Sequence, residues 1–261
     1  MKKVISLLLT VSIALILFSA SSLAENFTNE MKIPYTVDLS PEDGADSVER
    51  AGDHESSPYF AHPDVYNMTS TDTLTILPHF KTQQQTSEWS CGVSAALMVL
   101  NYFDKLGDNN EQTLAAFRSV GLTSGTGGAE PGSTSLIQLV DIFKGVGGFE
   151  LVTTRDYGDE VHDKFTLSAI QVFLKAGTPI LIGWNDWGGH WQVIIGYDTM
   201  GTETEQDDVI IVADPYDTTD HNQDGYGIYP AERFIYNFTF YNFFSEEDGN
   251  DMQFIAAKPA A

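Results

Sequence analysis

The feature that most limits the possible folds is a change in the spacing of apolar residues along the chain. From residue 91 to residue 177, apolar side chains recur every three or four positions, as they do in amphipathic helices. Helix start and stop signals bound these segments, for example Gly177 and Pro179 after the last of them. Helices are therefore predicted in GVSAALMVLNYFD, EQTLAAFRSV, STSLIQLVDIFKGVGG and TLSAIQVFLKAG.

The second half of the chain carries strand patterns instead. The segments PILIGW, HWQVIIGYD and DVIIVADPY are short, rich in Ile and Val, and bounded by turn residues. The polar residues 199–208 between the last two predict a hairpin loop. Helices followed by antiparallel strands indicate an α+β domain in which a helical lobe packs on a sheet lobe. A cleft between two such lobes is the expected place for a functional site.

The first 24 residues have the layout of a secretory signal peptide. Lys2 and Lys3 precede the apolar residues 4–17, and small residues ending at Ala24 follow. This apolar run is shorter than the roughly 20 residues that a membrane-spanning helix requires. We therefore expect cleavage after Ala24, a secreted, extracellular or cell-envelope-associated protein, and no stable membrane insertion after cleavage.

Residues 25–70 are polar and acidic, and they show no apolar period. This composition predicts a flexible acidic arm, which is either a linker or a pro-segment that masks the active site. Residues 71–261 form the predicted globular domain, which is long enough to enclose a substantial core.

The formal net charge of -24 limits the class of partner. Nucleic acid is excluded, because binding by counter-ion release requires clustered Lys and Arg. The acidic surface is interpreted as solubilising, and a preference for cationic substrates stays open.

Cys91 is the single cysteine in the sequence. An unpaired thiol in an exported protein is buried and inert, joined to another chain, or reactive. Cys91 stands where the first amphipathic helix begins, and the free N–H groups and partial positive charge of a helix start stabilise a thiolate. Gly92 beside it gives a substrate backbone room to approach. Cys91 is therefore the predicted nucleophile.

Gln85 lies six residues before Cys91. Acyl transfer needs hydrogen-bond donors aimed at the developing oxyanion, and the Gln85 amide together with the backbone N–H of Cys91 would provide two. The neighbouring Gln83 and Gln84 leave the alternative that all three glutamines belong to a polar loop.

His190 and Asp214 complete the candidate constellation. His190 opens a strand directly after Gly188 and Gly189, and its imidazole suits the transfer of the thiol proton to a leaving amine. Gly189 leaves space for substrate in front of the ring. Asp214 ends the next strand, where it would fix the tautomer of His190 and stabilise the imidazolium.

The tryptophans cluster around the same residues. Trp89 lies beside Cys91, and Trp184, Trp187 and Trp191 surround His190. Trp89 and Trp187 are predicted to bind substrate side chains as aromatic walls, although some members of the cluster must belong to the core.

A second pattern resembles the first half of a calcium-binding loop. Asp220, Asn222 and Asp224 alternate and are followed by Gly225, but the twelfth position is Ala231 instead of an acid. The pattern predicts either a structural calcium site or a polar turn. The chemistry predicted for Cys91 requires no cofactor.

The sequence resembles the papain-like cysteine peptidases in four motifs. In chain order these are Gln85, Cys91–Gly92, GGHW around His190 and ADPYD at Asp214. The sequence is most similar to the bacteriocin-processing, double-glycine-leader peptidases and their free-standing secreted relatives, over about residues 75–240. The resemblance implies a papain-like fold with Gln85 in the oxyanion hole, Cys91 as nucleophile, His190 as general base and Asp214 as its partner.

The expected function is a secreted thiol peptidase or amide hydrolase that acts on a peptide or protein through an acyl-enzyme. The alternatives are a cell-wall peptide amidase or transpeptidase with the same triad, and a non-catalytic binding domain. Cleavage after a double glycine is not carried over, because the leader peptidases are usually fused to a membrane transporter and an ATP-binding domain, neither of which this sequence contains.

Overall fold

The computed structural model describes residues 29–47, 63–118, 133–186, 189–218, 223–238 and 252–260. The predicted signal peptide lies outside these residues. No helix within them is long and apolar enough to cross a membrane.

The elements are labelled in chain order. The α-helices are α1 (Cys91–Tyr102), α2 (Glu111–Ala115), α3 (Leu136–Val146), α4 (Thr154–Tyr157), α5 (Val161–Lys164), α6 (Leu167–Lys175) and α7 (Ala231–Asn237). The strands are β1 (Leu74–Ile76), β2 (Phe149–Thr153), β3 (Ile180–Trp184), β4 (His190–Asp198), β5 (Val209–Ala213), β6 (Tyr226–Pro230) and β7 (Gln253–Pro259). Short 3-10 helices lie at Asn29–Met31, Ala45–Ser47, Val65–Asn67, Gly158–Glu160 and Glu205–Asp207.

One antiparallel sheet organises the fold. Its strands lie in the order β2–β7–β3–β4–β5–β6, and β1 pairs with the C-terminal part of β4. Strand β4 is central because it pairs with β5 along one edge and with β3 and then β1 along the other. Its register against β5 shifts between Ile194 and Gly196. The first residue of this central strand is His190.

The predicted elements are present. The four predicted helices are α1, α2, α3 and α6, and the three predicted strands are β3, β4 and β5. Helix α2 is shorter than its predicted segment, because it ends at Ala115 and continues as a turn. The predicted hairpin loop joins β4 to β5 and contains one 3-10 turn. The α+β fold class is therefore confirmed.

The sheet also contains strands that the sequence pattern does not reveal. Strand β2 lies within the helical half of the sequence and pairs with β7 near the C-terminus. Most of its side chains are half-buried, so it lacks the alternation of buried and exposed residues that marks a strand. Helices and strands are therefore less strictly separated along the chain than the sequence predicts.

Helix α1 lies at the centre of the helical layer and packs on β4. Residues 91–100 are all buried, so neighbours cover every side of the helix rather than one apolar stripe. A helix that is apolar all round belongs in a protein core. This burial fixes the position of Cys91, the first residue of α1, relative to the sheet.

Part of the predicted acidic arm packs against the domain. In the N-terminal segment (residues 29–47), Met31, Ile33 and Ala45 are buried. The backbone N–H of Ile33 donates to the carbonyl of Thr82 over 2.8 Å, and the N–H of Thr82 donates to the carbonyl of Met31 over 2.9 Å. The expectation of a flexible arm is therefore wrong for residues 29–47, because apolar side chains within this acidic stretch find buried sites on the domain. Removal of the arm as a pro-segment stays a prediction.

Candidate active site

Cys91 occupies the N-terminus of α1, as the sequence predicts. Ser90 holds the N-cap position, but in the described region its hydroxyl makes no capping bond to the helix. That hydroxyl is directed instead to the carbonyl of Ser87, at 3.1 Å, and to Oε1 of Glu111, at 2.8 Å. The N–H groups of the first turn are therefore left to stabilise negative charge at the Cys91 sulfur.

Gly92 allows close packing within the protein itself, and its predicted role in the approach of substrate stays a prediction. A Cβ atom at this position would lie 2.9 Å from Cβ of Thr134 and 3.1 Å from Cδ1 of Trp191. The glycine therefore allows the protein's own Thr134 and Trp191 to approach the start of α1 closely.

His190 and Asp214 are paired. His190 Nε2 lies 2.6 Å from Oδ1 of Asp214, and both side chains are buried. The pairing follows from the sheet register, because Val193 of β4 lies opposite Ala213, the residue before Asp214. Adjacent antiparallel strands thus join two residues that are far apart in sequence.

Asp214 is bound by two further donors. Gln192 Nε2 donates to Oδ2 over 2.7 Å, and the backbone N–H of Tyr216 donates to Oδ1 over 2.7 Å. Sequence reasoning missed Gln192. The available signal was its position two residues after His190, since residues i and i+2 of a strand lie on the same face.

The electrostatics of the pair favour its charged form. Burial lowers the pKa of His190, but the Asp214 carboxylate and Cys91 raise it more, to about 10 from an ordinary value of 6.5. Burial raises the pKa of Asp214, but the facing imidazole and its hydrogen bond hold it below 3.8. The Cys91 side chain is thus one of the groups that interact with the imidazole. Because Nε2 is bound to Asp214, Nδ1 is the nitrogen left for the thiol.

The three consecutive glutamines have separate partners. Gln83 Nε2 donates to the carbonyl of Ile33 in the N-terminal segment, and Gln84 Nε2 donates to the carbonyl of Asp214. Gln85 is buried, and its Nε2 donates over 2.8 Å to the carbonyl of Ser87 in the loop that leads to Cys91. Of the three glutamines, Gln85 is therefore the one whose amide binds the loop that leads to Cys91. Its role in an oxyanion hole stays a prediction.

Gln85 is also tied to the opposite side of the site. Its backbone N–H donates to the carbonyl of Pro215 over 2.8 Å, directly after Asp214. The loop before Cys91 and the loop after β5 are thus held together by a main-chain hydrogen bond and by the bond from the Gln84 side chain.

Tyr216 is a second residue that sequence reasoning missed. Its ring meets the His190 ring edge to face, with centroids 6.3 Å apart. Its hydroxyl donates to Oε1 of Glu88 over 2.8 Å, close in sequence to Cys91. Tyr216 thus lies against the imidazole and bridges the same two loops.

The residues predicted to bind substrate are only partly described. Trp89 is half-buried, and the Arg118 guanidinium lies 5.0 Å above its ring. Gly189 has a φ of 127°, which favours glycine, and Trp187 lies outside the described residues. Substrate binding by these three residues stays a prediction.

Trp184 and Trp191 belong to the core. Nε1 of Trp191 donates to the carbonyl of Thr134 over 2.7 Å, and Nε1 of Trp184 donates to Oε1 of Gln192 over 2.9 Å. Trp191 thus holds Thr134 beside Gly92, and Trp184 holds Gln192 beside Asp214.

The predicted calcium site falls mostly outside the described residues, which exclude Asp220 and Asn222. Oδ1 of Asp224 accepts from the backbone N–H of Tyr226 over 2.9 Å. Within the described ranges, no group of three or more His, Cys, Asp or Glu side chains could hold a metal ion. Calcium binding stays a prediction.

Comparison with known proteins places the chain in a family. The family model described as "Peptidase_C39 like family" matches residues 78–243, more than half of the chain, and this match spans the residues from Gln85 to Asp214. Among solved structures, the chain is similar to a double glycine motif protease from an AMS/PCAT transporter in complex with the leader peptide. The two share 18% identity over 73% of this chain and 96% of that chain, with a TM-score of 0.39. No curated protein matches. The chain belongs to the Peptidase_C39-like family and is a cysteine peptidase.

Proposed function

We propose that the protein is an exported peptidase that cleaves peptide or protein substrates through a Cys91–His190–Asp214 triad and an acyl-enzyme. One observation carries the proposal: the His190 imidazole is held by Asp214 at 2.6 Å, and Cys91 at the start of α1 interacts with the same imidazole and raises its pKa. This arrangement suits transfer of the thiol proton to the imidazole, which creates the nucleophilic thiolate.

In the acylation step, the Cys91 thiolate attacks the carbonyl carbon of the scissile bond. The carbonyl oxygen becomes an oxyanion, for which the backbone N–H of Cys91 and the Gln85 amide are the proposed donors. The protonated His190 gives its proton to the amide nitrogen as the C–N bond breaks. The amine product leaves, and a thioester remains on Cys91.

In the deacylation step, neutral His190 accepts a proton from water while the water oxygen attacks the thioester carbonyl. The tetrahedral intermediate collapses, the C–S bond breaks, and the carboxylic acid departs. The Cys91 thiolate and protonated His190 are regenerated. Asp214 holds the ring so that Nδ1 faces the sulfur throughout.

The test uses the purified chain without its first 24 residues and a panel of fluorogenic peptides and unfolded proteins. Thiol-dependent hydrolysis is expected, and Cys91→Ser should reduce it to the rate measured without enzyme. His162→Ala is the matched control, because this exposed histidine on α5 should leave the rate within about twofold. Peptide binding without any hydrolysis would instead favour a non-catalytic binding domain.

The alternative acyl chemistries give different products. Adding cell-wall peptides with and without an amine acceptor separates them, because a transpeptidase forms a new amide whose mass includes the acceptor. Release of only the free acid and amine supports hydrolysis. Export is tested separately by sequencing the N-terminus of the protein recovered from the culture medium, which should begin at Glu25.

A further inference from the structure

Glu111, the first residue of α2, is a buried carboxylate outside the proposed triad, with only 1% of its surface exposed. Its Oε1 accepts from the backbone N–H of Thr86 at 3.1 Å, the hydroxyl of Ser90 at 2.8 Å and the hydroxyl of Ser94 at 2.6 Å. Its Oε2 accepts from the hydroxyl of Thr86. One carboxylate thus binds three residues that surround Cys91 in sequence.

These donors lie at both ends of the loop that carries the proposed oxyanion hole. Thr86 directly follows Gln85, whereas Ser90 directly precedes Cys91 and Ser94 lies in the first turn of α1. Glu111 therefore ties the start of the loop to the start of the helix. Neither end can move away without breaking a hydrogen bond to a buried charge, which costs more than breaking a neutral one.

The contact with Ser90 has a second effect. A serine at the N-cap ordinarily accepts a hydrogen bond from an N–H of the first turn and so satisfies that donor. In the described region, the Ser90 hydroxyl is directed to Glu111 and to the carbonyl of Ser87 and makes no such cap. The first-turn N–H groups stay available to the sulfur and to a developing oxyanion.

Thr86 has additional support from the N-terminal segment, through its side chain and its main chain. The N–H of Leu39 donates to Oγ1 of Thr86 and the N–H of Ser40 donates to its carbonyl, both over 3.0 Å. Those bonds hold only one end of the loop. Glu111 also binds Ser90 and Ser94, so it sets the distance between the two ends.

We propose that Glu111 is a positioning residue, which holds the Gln85 amide and the Cys91 N–H in register around one oxyanion. This inference rests on the proposed function of Cys91 and Gln85. Glu111 itself touches neither the substrate nor the reacting atoms.

The first test compares Glu111→Gln with Asp108→Asn. Both substitutions remove one negative charge, but Asp108 is exposed in the turn before α2. Glu111→Gln should lower kcat by about 10- to 100-fold and change KM by less than about twofold, because misplaced donors weaken binding of the transition state more than that of the substrate. Asp108→Asn should leave both constants within about twofold.

A double-mutant cycle with Gln85→Ala separates positioning from general destabilisation. If Glu111 acts through Gln85, the double variant should have a kcat less than about threefold below that of the Gln85→Ala single variant. If the two substitutions instead lower kcat by the product of their separate effects, the proposal is overturned, since Glu111 would then act independently of the Gln85 amide.

Hydrogen–deuterium exchange of residues 85–94 gives a readout that does not depend on activity. Glu111→Gln should accelerate exchange there by at least about tenfold, whereas Asp108→Asn should not. Unchanged exchange would overturn the proposal even if kcat falls. A wild-type protein without peptidase activity would refute the proposed function, and the exchange rates would still decide whether Glu111 holds the loop. Should Glu111→Gln not fold, the pair Ser90→Ala and Ser94→Ala replaces it in both measurements.

Discussion

Gln192 donates a 2.7 Å hydrogen bond to Oδ2 of Asp214, the carboxylate whose Oδ1 binds His190. His190 and Gln192 lie on the same face of β4, so one strand presents both the imidazole and the group that orients its partner. The orientation of the imidazole thus depends on a neutral amide as well as on the carboxylate.

Gln192→Ala should weaken this orientation. Oδ2 of Asp214 loses its buried donor, so we expect kcat/KM to fall about tenfold and the free energy of unfolding to fall by about 1–3 kcal/mol. Steady-state kinetics and urea unfolding measure the two effects. Gln112→Ala, at an exposed position on α2, is the control and should change neither quantity. An unchanged kcat/KM in Gln192→Ala would contradict the orienting role.

Asp214→Asn should shift the pH profile of the enzyme. The carboxylate raises the pKa of His190, so its neutralisation lowers that pKa and the imidazolium is lost at lower pH. The alkaline limb of kcat/KM should therefore move towards acid by more than about one pH unit. Rates measured from pH 5 to pH 10.5 test this, with the exposed Asp163→Asn as the control. If the alkaline limb does not move, Asp214 does not raise the pKa of His190.

The same pair should make the melting temperature depend on pH. The raised pKa of His190 contributes stability that is present below pH 6.5 and is lost as the pH rises towards 10. The lowered pKa of Asp214 contributes stability that is present above pH 3.8 and is lost at lower pH. The reference is the double variant His190→Asn/Asp214→Asn, which lacks both groups. The difference in Tm between wild type and reference should be largest from about pH 4 to 6.5. A difference that does not vary with pH would argue against the charged pair.

The sequence predicts those parts of the site that depend on local patterns. Cys91 is recognisable because a helical period begins at it. Asp214 is recognisable because it directly follows β5, the next strand along the chain after that of His190. Both inferences need only one element and its neighbour along the chain.

Glu111 and Gln192 could not be predicted in the same way. Glu111 reaches Thr86 and Ser94 through the packing of α2 beside α1, which leaves no periodic signal in the sequence. Gln192 lies within an apolar strand, where a single polar residue has no visible partner until β5 is placed beside it. Strand β7 was missed for a related reason, because its partners β2 and β3 come more than 60 residues earlier.

The burial of the N-terminal segment was missed because acidic composition concealed its few apolar contacts. Gly44 shows how closely this segment approaches the loop of the candidate site. A Cβ atom at Gly44 would lie 2.5 Å from the carbonyl carbon of Thr86 and 2.8 Å from its Cα. Neither atom belongs to a flexible side chain, so a larger residue can be accommodated only if the backbone moves.

Gly44→Ala should therefore push the N-terminal segment away from Thr86 and loosen the loop between Gln85 and Cys91. We expect the free energy of unfolding to fall by about 1–3 kcal/mol and kcat to fall severalfold. Thr36→Ala is the matched control, because Thr36 is an exposed residue of the same segment. A segment that acts as a masking pro-segment predicts the opposite effect on catalysis, since its displacement would open the site. A rise in kcat/KM with a fall in stability would therefore identify residues 29–47 as an inhibitor of the site, and a fall in both would identify them as part of its support.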